Sequence, residues 1–174
     1  MTATDRADSP PARHGSWQDI VALVVLVAIA LLAGRIGSLA TTPNIPIWYD
    51  GLEKPWFNPP TLVFPIVWTI LFILMGVAAW LAWRASERRA GDRARAMAAY
   101  LVQLVVNVAW SFAFFGAQSP LAGLVVVVLL FAAVAVTILA FRRLSRVAAL
   151  LLAPYLAWVG YATLLNATIL GLNG

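Results

Sequence analysis

The chain has 174 residues, 63% of them hydrophobic and 11% charged, with a formal net charge of +5 and a mean hydropathy of +0.88. A soluble domain of this size cannot cover its core with so little polar surface, so lipid must act as the solvent. The absence of cysteine excludes disulfides and thiolate chemistry, and the arginines gather in short loops rather than on a folded face, which argues against nucleic acid as a partner.

In lipid only helices or closed barrels satisfy every backbone polar group. The apolar runs are long enough to span a bilayer as helices and show no period-two alternation. The expected fold class is therefore an all-α membrane protein, a bundle of five transmembrane helices. Residues 1–16 are polar and hold Pro10, Pro11 and Gly15. They read as a flexible N-terminal tail ahead of a transmembrane domain over 17–174.

The first helix is expected over about 17–40. Arg6 and Arg13, an apolar run and then Ser38-Leu39-Ala40 have the outline of a cleavable signal. The run is too long for a signal's apolar region and Arg35 interrupts its end, so it is expected to remain as a span. Ala30, Gly34 and Ser38 recur at intervals of four, with Ala33 and Gly37 beside them. Such a row is either a helix contact or room for a ligand near the following loop.

The stretch WYDGLEKPWFNPPTLVFPIVW, Trp48 to Trp68, is the only place where charge, proline and aromatics crowd together. It holds three of the eight tryptophans, Trp48, Trp56 and Trp68, and reads as a lid over a flat apolar ligand. Asp50, Glu53 and Lys54 within it are expected to pair at the surface. The second helix is expected over about 59–83, opened by Pro59-Pro60, with Pro65 inside it freeing the Thr61 carbonyl. The third is expected over about 97–117, the fourth over 120–141 and the fifth over 147–171 with Pro154 inside.

Five spans place the termini on opposite sides. The tail, the second loop and the fourth loop carry Arg6, Arg13, Arg84, Arg88, Arg89, Arg93, Arg95, Arg142, Arg143 and Arg146, whereas the other side has Lys54 with Arg35 near it. The positive-inside rule predicts a cytoplasmic N-terminus and an outward C-terminus and Trp48–Trp68 loop.

The only histidine, His14, is in the tail, and the helix interiors offer no carboxylate pair, so a metal site or a hydrolytic centre in the bilayer is not expected. Aromatic and amide groups remain. Gln103, Asn107, Trp110, Ser111 and Phe114 share one face of the third helix. Such a face must meet protein or a ligand. Tyr155, Trp158, Ala162 and Asn166 share a face of the fifth, and Trp68, Phe72 and Met75 one of the second. Trp17, Trp80 and Trp83 read as an interfacial belt. Ala109, Ala113 and Ala117 form a small-residue row suited to a second protomer or to packing in the bundle.

Three ordered blocks carry a resemblance. WYDGLEKPWFNPP followed by FPIVWTILFILMG, then QLVVNVAWSFAFF, then PYLAWVGYATLLN, resemble the TspO/MBR family of tryptophan-rich sensory proteins and translocator proteins, also called peripheral-type benzodiazepine receptors. The likeness covers roughly residues 20–173. It implies a multi-pass protein of a bacterial-type membrane with a ligand cavity under the first loop. It also implies binding of porphyrins such as protoporphyrin IX, or haem, and of small apolar aromatic ligands, with no obligatory cofactor, and a homodimer. Carried over by motif, the ligand positions are Tyr49, Pro59 and Trp68, then Asn107, Trp110 and Ser111, then Trp158, Ala162 and Leu165. Gly34 or Gly37 walls the same cavity, and Phe72 joins through the stripe on the second helix. The chain departs from the sterol pattern of animal members, because no basic residue follows Tyr161, so sterol binding through that pattern is not expected.

The function so implied is a tetrapyrrole-binding membrane sensor or transporter, with tryptophan faces for the ring, an Asn107 hydrogen bond, and Lys54 or Arg35 for a propionate. One alternative is a light-dependent porphyrin-degrading enzyme using Trp68 and Trp158. Another is a membrane scaffold acting through a partner protein.

Overall fold

The structure, a computed structural model, describes residues 16–85 and 90–174. The expected tail lies outside the described residues except for Ser16, which opens α1. The apolar runs are helical, and among the described residues there is no strand. The elements are α1 (Ser16–Asn44), a short 3-10 turn (Tyr49–Gly51), α2 (Val63–Ala85), α3 (Ala90–Ser111), a π-helical segment (Phe112–Gly116), α4 (Pro120–Arg142), α5 (Arg146–Leu151) and α6 (Ala153–Asn173). Together α5 and α6 make the fifth span, and all five spans are long and apolar enough to cross a membrane.

Local chemistry explains where the helices begin. Pro59 and Pro60 do not open α2. Each restrains the residue before it to extended backbone, and the helix starts only at Val63, after a turn closed by the Val63 N–H on the Pro60 carbonyl at 2.9 Å. Pro65 therefore falls in the first turn, where its missing N–H leaves no helical bond unmade. The helix α3 starts earlier than its apolar pattern predicts and takes up Asp92, Arg93 and Arg95, with Asp92 well placed in the first turn against the helix dipole. Ser119 and Ser145 accept the N–H groups of Ala122 and Ala148, each at 3.2 Å, and so cap α4 and α5. Pro154 breaks the fifth span at Leu152 and becomes an early residue of α6, a position that tolerates it.

Small residues set the spacing between helices. The helix α2 packs most extensively on α1, with Ala78, Ala79 and Ala82 fully buried. At Gly76 a methyl group would lie 2.5 Å from the Val27 Cα of α1, so the two backbones touch there. Farther along, Tyr100 of α3 donates to the Leu26 carbonyl of α1 at 2.7 Å, and Thr137 of α4 donates to the Ala99 carbonyl of α3 at 3.2 Å. At the loop end Gln118 donates to Asn44 at 3.0 Å, and Asn173 donates to the Glu53 carbonyl while accepting its N–H, both at 2.9 Å. The chain's end thus fastens the first loop.

Replacing glycine by alanine in a helix ordinarily stabilises it by about 1 kcal/mol. At Gly76 the methyl would push α1 from α2, an overpacking that costs about 1–3 kcal/mol. Gly76→Ala is therefore expected to lower the unfolding midpoint in detergent. Gly171→Ala, where nothing lies within 4 Å of the added carbon, is expected to hold or raise it. Equal midpoints for the two variants would refute the close contact.

Candidate functional site

The aromatic residues of the three sequence blocks converge between the loop and the middle of the bundle. Trp68 on α2 stacks on Phe72 with ring centroids 5.6 Å apart. It also meets Trp110 of α3 at 6.0 Å and Tyr155 of α6 at 6.1 Å. Trp110 stacks on Phe114 at 5.9 Å, and Phe114 lies edge-on to Phe115 at 4.8 Å. Tyr49 enters from the loop, against Phe115 at 5.7 Å and Phe64 at 6.3 Å. Phe64 reaches Trp158 at 6.2 Å. The rings form one continuous network drawn from the loop and three spans, the second, third and fifth.

Glycines of α1 close the remaining side. The ring of Phe72 occupies the space where a side chain at Gly34 would lie, and a methyl at Gly37 would come 2.9 Å from the Ser111 Oγ. Gly34, Phe72, Trp68, Trp110 and Ser111 therefore meet across α1, α2 and α3. Asn107 joins through its amide, which donates to the Tyr155 hydroxyl at 3.0 Å in a fully buried pair. Tyr49, Asn107 and Ser111 are buried, while Trp68 and Trp158 are half-buried. Leu165 is buried in the core and Ala162 packs against it. Pro59 is half-buried in the loop, where its carbonyl accepts the Asn58 amide at 3.2 Å.

Two polar atoms here are buried without a partner. One is the Trp110 Nε1, a donor, and the other is the Gln103 Oε1, an acceptor one turn below Asn107. Gln103 spends its amide on the Met75 sulfur at 3.6 Å, a weak bond. A buried group left unpaired costs about 1–3 kcal/mol, so each is a ready partner for an incoming polar atom. Asn166 donates its amide to the Pro120 carbonyl at 2.8 Å and tethers the start of α4, while its Oδ1 is likewise buried without a partner.

The loop is a fastened cap. Lys54 donates its three protons to the carbonyls of Tyr49, Asp50 and Leu52 at 2.8–3.0 Å and lies over the Tyr49 ring. The expected surface pairing with Asp50 and Glu53 gives way to this internal knot, because three converging carbonyls match the donors of an ammonium. Lys54 is thereby occupied, which leaves the exposed Arg35 as the other cation expected for a propionate. Tyr161 donates to the Phe57 carbonyl at 2.8 Å and pins the loop to α6. Below the cap α2 and α6 part, leaving a groove of about 480 Å³ flanked by Leu71, Leu74, Ala157, Trp158 and Tyr161. Among the described residues no group of three or more metal-binding side chains gathers.

Phe115 and Phe64 were not singled out in the sequence. On a regular α-helix Phe115 would turn about 100° from Phe114. The π-helical segment, with the Ala117 N–H on the Phe112 carbonyl at 2.7 Å, brings both rings inward. Such segments commonly occur at functional sites.

Comparison with known proteins matches residues 23–172 to the TspO/MBR family. The chain is 44% identical over 160 residues to the tryptophan-rich protein TspO of Chlorobaculum tepidum, covering 90% of this chain and 98% of that protein. It is 41% identical over 126 residues to the tryptophan-rich sensory protein of Cereibacter sphaeroides, covering 72% and 77%. It is 39% identical over 119 residues to the human translocator protein, covering 68% and 70%.

Tyr49 also supplies a pH signature. Its hydroxyl donates to the Asn58 side chain at 2.6 Å. Burial above all, then Tyr161 and the Asp50 charge, push its pKa up to about 12, against a smaller opposing effect of the Asn58 bond. The folded state favours the neutral phenol, so this stability is intact below pH 10 and is lost as pH rises from about 10 through about 12. Thermal melts across that window should show a falling midpoint that flattens in Tyr49→Phe. An identical slope in the variant would assign the loss to other groups.

Proposed function

The chain belongs to the TspO/MBR family of multi-pass membrane proteins, and from that premise we propose that it is a membrane sensor or transporter whose ligand is a tetrapyrrole of the protoporphyrin IX type, held among the rings beneath the cap. The observation that carries this proposal is the convergence of Trp68, Trp110 and Phe72 around the unpartnered Trp110 N–H. A porphyrin is a flat π-system with carboxylates. The rings supply stacking faces, and the indole N–H, the Gln103 oxygen and the Asn107–Tyr155 pair supply hydrogen bonds. No histidine or cysteine lies on the helices to ligate iron axially, so metal-free porphyrin competes well with haem.

The rings already touch one another. A ligand of this width enters by turning Trp68 and Phe72 or by widening the groove beside Trp158, where α2 and α6 part. With the arginine-rich end cytoplasmic, the cap faces outward. A second copy docks on the outer face of the third span, where Ala109 of α3 and Ala117 beyond the π-helical segment are exposed with Ala113 half-buried between them.

Titration of the purified protein into protoporphyrin IX should shift the Soret band to saturation. Losing one stacking face worth about 0.5–1.5 kcal/mol raises Kd roughly 2- to 12-fold, expected for Trp68→Ala and Trp158→Ala. Trp110→Phe keeps a face but removes the N–H, and should weaken a porphyrin carrying free carboxylates more than its dimethyl ester. No Soret shift, or the same Kd in all three variants, would refute the proposal.

A further inference from the structure

The three large hydrophobic residues most exposed among the described residues are Trp56, Ile47 and Leu62, and all three lie in the cap rather than on a span. Trp56 is 95% exposed. A loop surrounded by water hides side chains of this size or offers them to a partner.

The height of the loop against the spans decides what meets them. Its charged part stands at the top, where Asp50 and Glu53 are exposed and the Glu53 backbone is bonded to Asn173 at the end of α6. From there the chain descends. The Phe57 carbonyl accepts the Tyr161 hydroxyl at 2.8 Å, and the two rings meet at 6.3 Å. Tyr161 lies about 18 Å below Asn173 along the same helix. The fifth span has 28 residues, about 42 Å at the helical rise, against a hydrocarbon core about 30 Å thick. With Arg146 at the opposite boundary, Asn173 stands about 12 Å above the hydrocarbon and Tyr161 lies about 6 Å inside it. Trp56 rests edge-on against Phe57 at 5.7 Å. These ring contacts hold Trp56 at the boundary between hydrocarbon and headgroups, below the charged part of the same loop.

The backbone is suited to that depth. Of residues 55–60, three are prolines without an N–H. The Asn58 N–H is bonded to the Pro55 carbonyl at 2.9 Å. The Asn58 side chain accepts the Tyr49 hydroxyl at 2.6 Å and donates to the Pro59 carbonyl at 3.2 Å. Near hydrocarbon every unpaired backbone group is costly, and this stretch leaves few N–H groups to pair.

We infer that residues 55–62 form a membrane-contact surface that dips beside α6 into the leaflet at the cap end, with Trp56 as its anchor at the glycerol-ester level of the phospholipids. An indole suits that level because its ring is apolar and its N–H finds ester oxygens. The contact requires no charge on the headgroup. Through Phe57, Tyr161 and Trp158, whose rings touch in succession, it ties the cap and the aromatic site to the height of the lipid surface.

The test uses the full-length protein in phosphatidylcholine vesicles. The tryptophan emission lost in Trp56→Phe is the Trp56 component. Phosphatidylcholine brominated near the top of its acyl chains should quench that component more than phosphatidylcholine brominated near the chain ends, and aqueous iodide should leave it nearly unchanged. The chain has no cysteine, so single nitroxides at Trp56→Cys and Gly51→Cys add a measure of depth. Oxygen should relax the label in place of Trp56 more than a water-soluble nickel chelate does. The order should reverse at Gly51, an exposed position with nothing within 4 Å. A Trp56 component quenched by iodide and not by brominated lipid would overturn the inference and mark the surface as one for a water-borne partner. Stronger quenching from the chain ends would overturn the anchoring level. A label at Trp56 as open to the nickel chelate as the label at Gly51 would also count against the contact. Where the two measurements disagree, quenching decides, because it keeps the indole.

Discussion

The close approach of α1 to α2 and α3 is the constraint on which the rest of this structure depends. It requires glycine at three places. Gly76 lets α2 touch the backbone of α1 at Val27, Gly34 yields its space to Phe72, and Gly37 yields to Ser111. In lipid there is no hydrophobic force to hold helices together, so dispersion contact at short range must do so. Once Phe72 is seated on α1, its ring presents a flat surface to Trp68, and Trp68 in turn reaches Trp110 and Tyr155. The aromatic network is thus built outward from a contact between small residues.

Polar groups inside the bundle do different work at different depths. Asn166 and Thr137 satisfy backbone carbonyls of neighbouring helices and serve the scaffold. Asn107 and Tyr155 satisfy one another at the base of the rings. The Trp110 N–H and the Gln103 oxygen have no partner. Where a chain satisfies most of its buried polar atoms, the exceptions mark places at which something else can bind. Above them the cap is held by Lys54, Tyr161 and Asn173, each through the backbone rather than through side-chain charge. A cap held in this way keeps its shape at high salt, since carbonyl acceptors are not screened as surface ion pairs are.

The two ends of the molecule suit different chemistries. At the cap, aromatic faces and unpaired hydrogen-bonding atoms match a flat ligand with a few polar groups. At the other end, a recess beside α1 is lined almost wholly by apolar side chains. The aromatic site and the recess share α1, α2 and α3 but none of the residues that line them. A substitution in one lining therefore leaves the other unchanged.

Much of this was legible in the sequence. Residues with a helical repeat in lipid have few choices, so the buried face of Gln103, Asn107, Trp110, Ser111 and Phe114 follows from spacing and the cost of exposing amides. The five spans and the small-residue row of α1 follow equally from composition and period. Other features depend on contacts between segments distant in the chain. Phe115 turns inward only because the end of α3 takes up a π-helical turn, and no local repeat announces that. The end of the Lys54 side chain is decided by where three carbonyls of a folded loop converge, not by the carboxylates beside it in sequence. Periodicity and solvent preference determine which face each helix must bury. Only tertiary packing decides which atoms on those faces find partners, because satisfaction is a property of the neighbours and not of the residue.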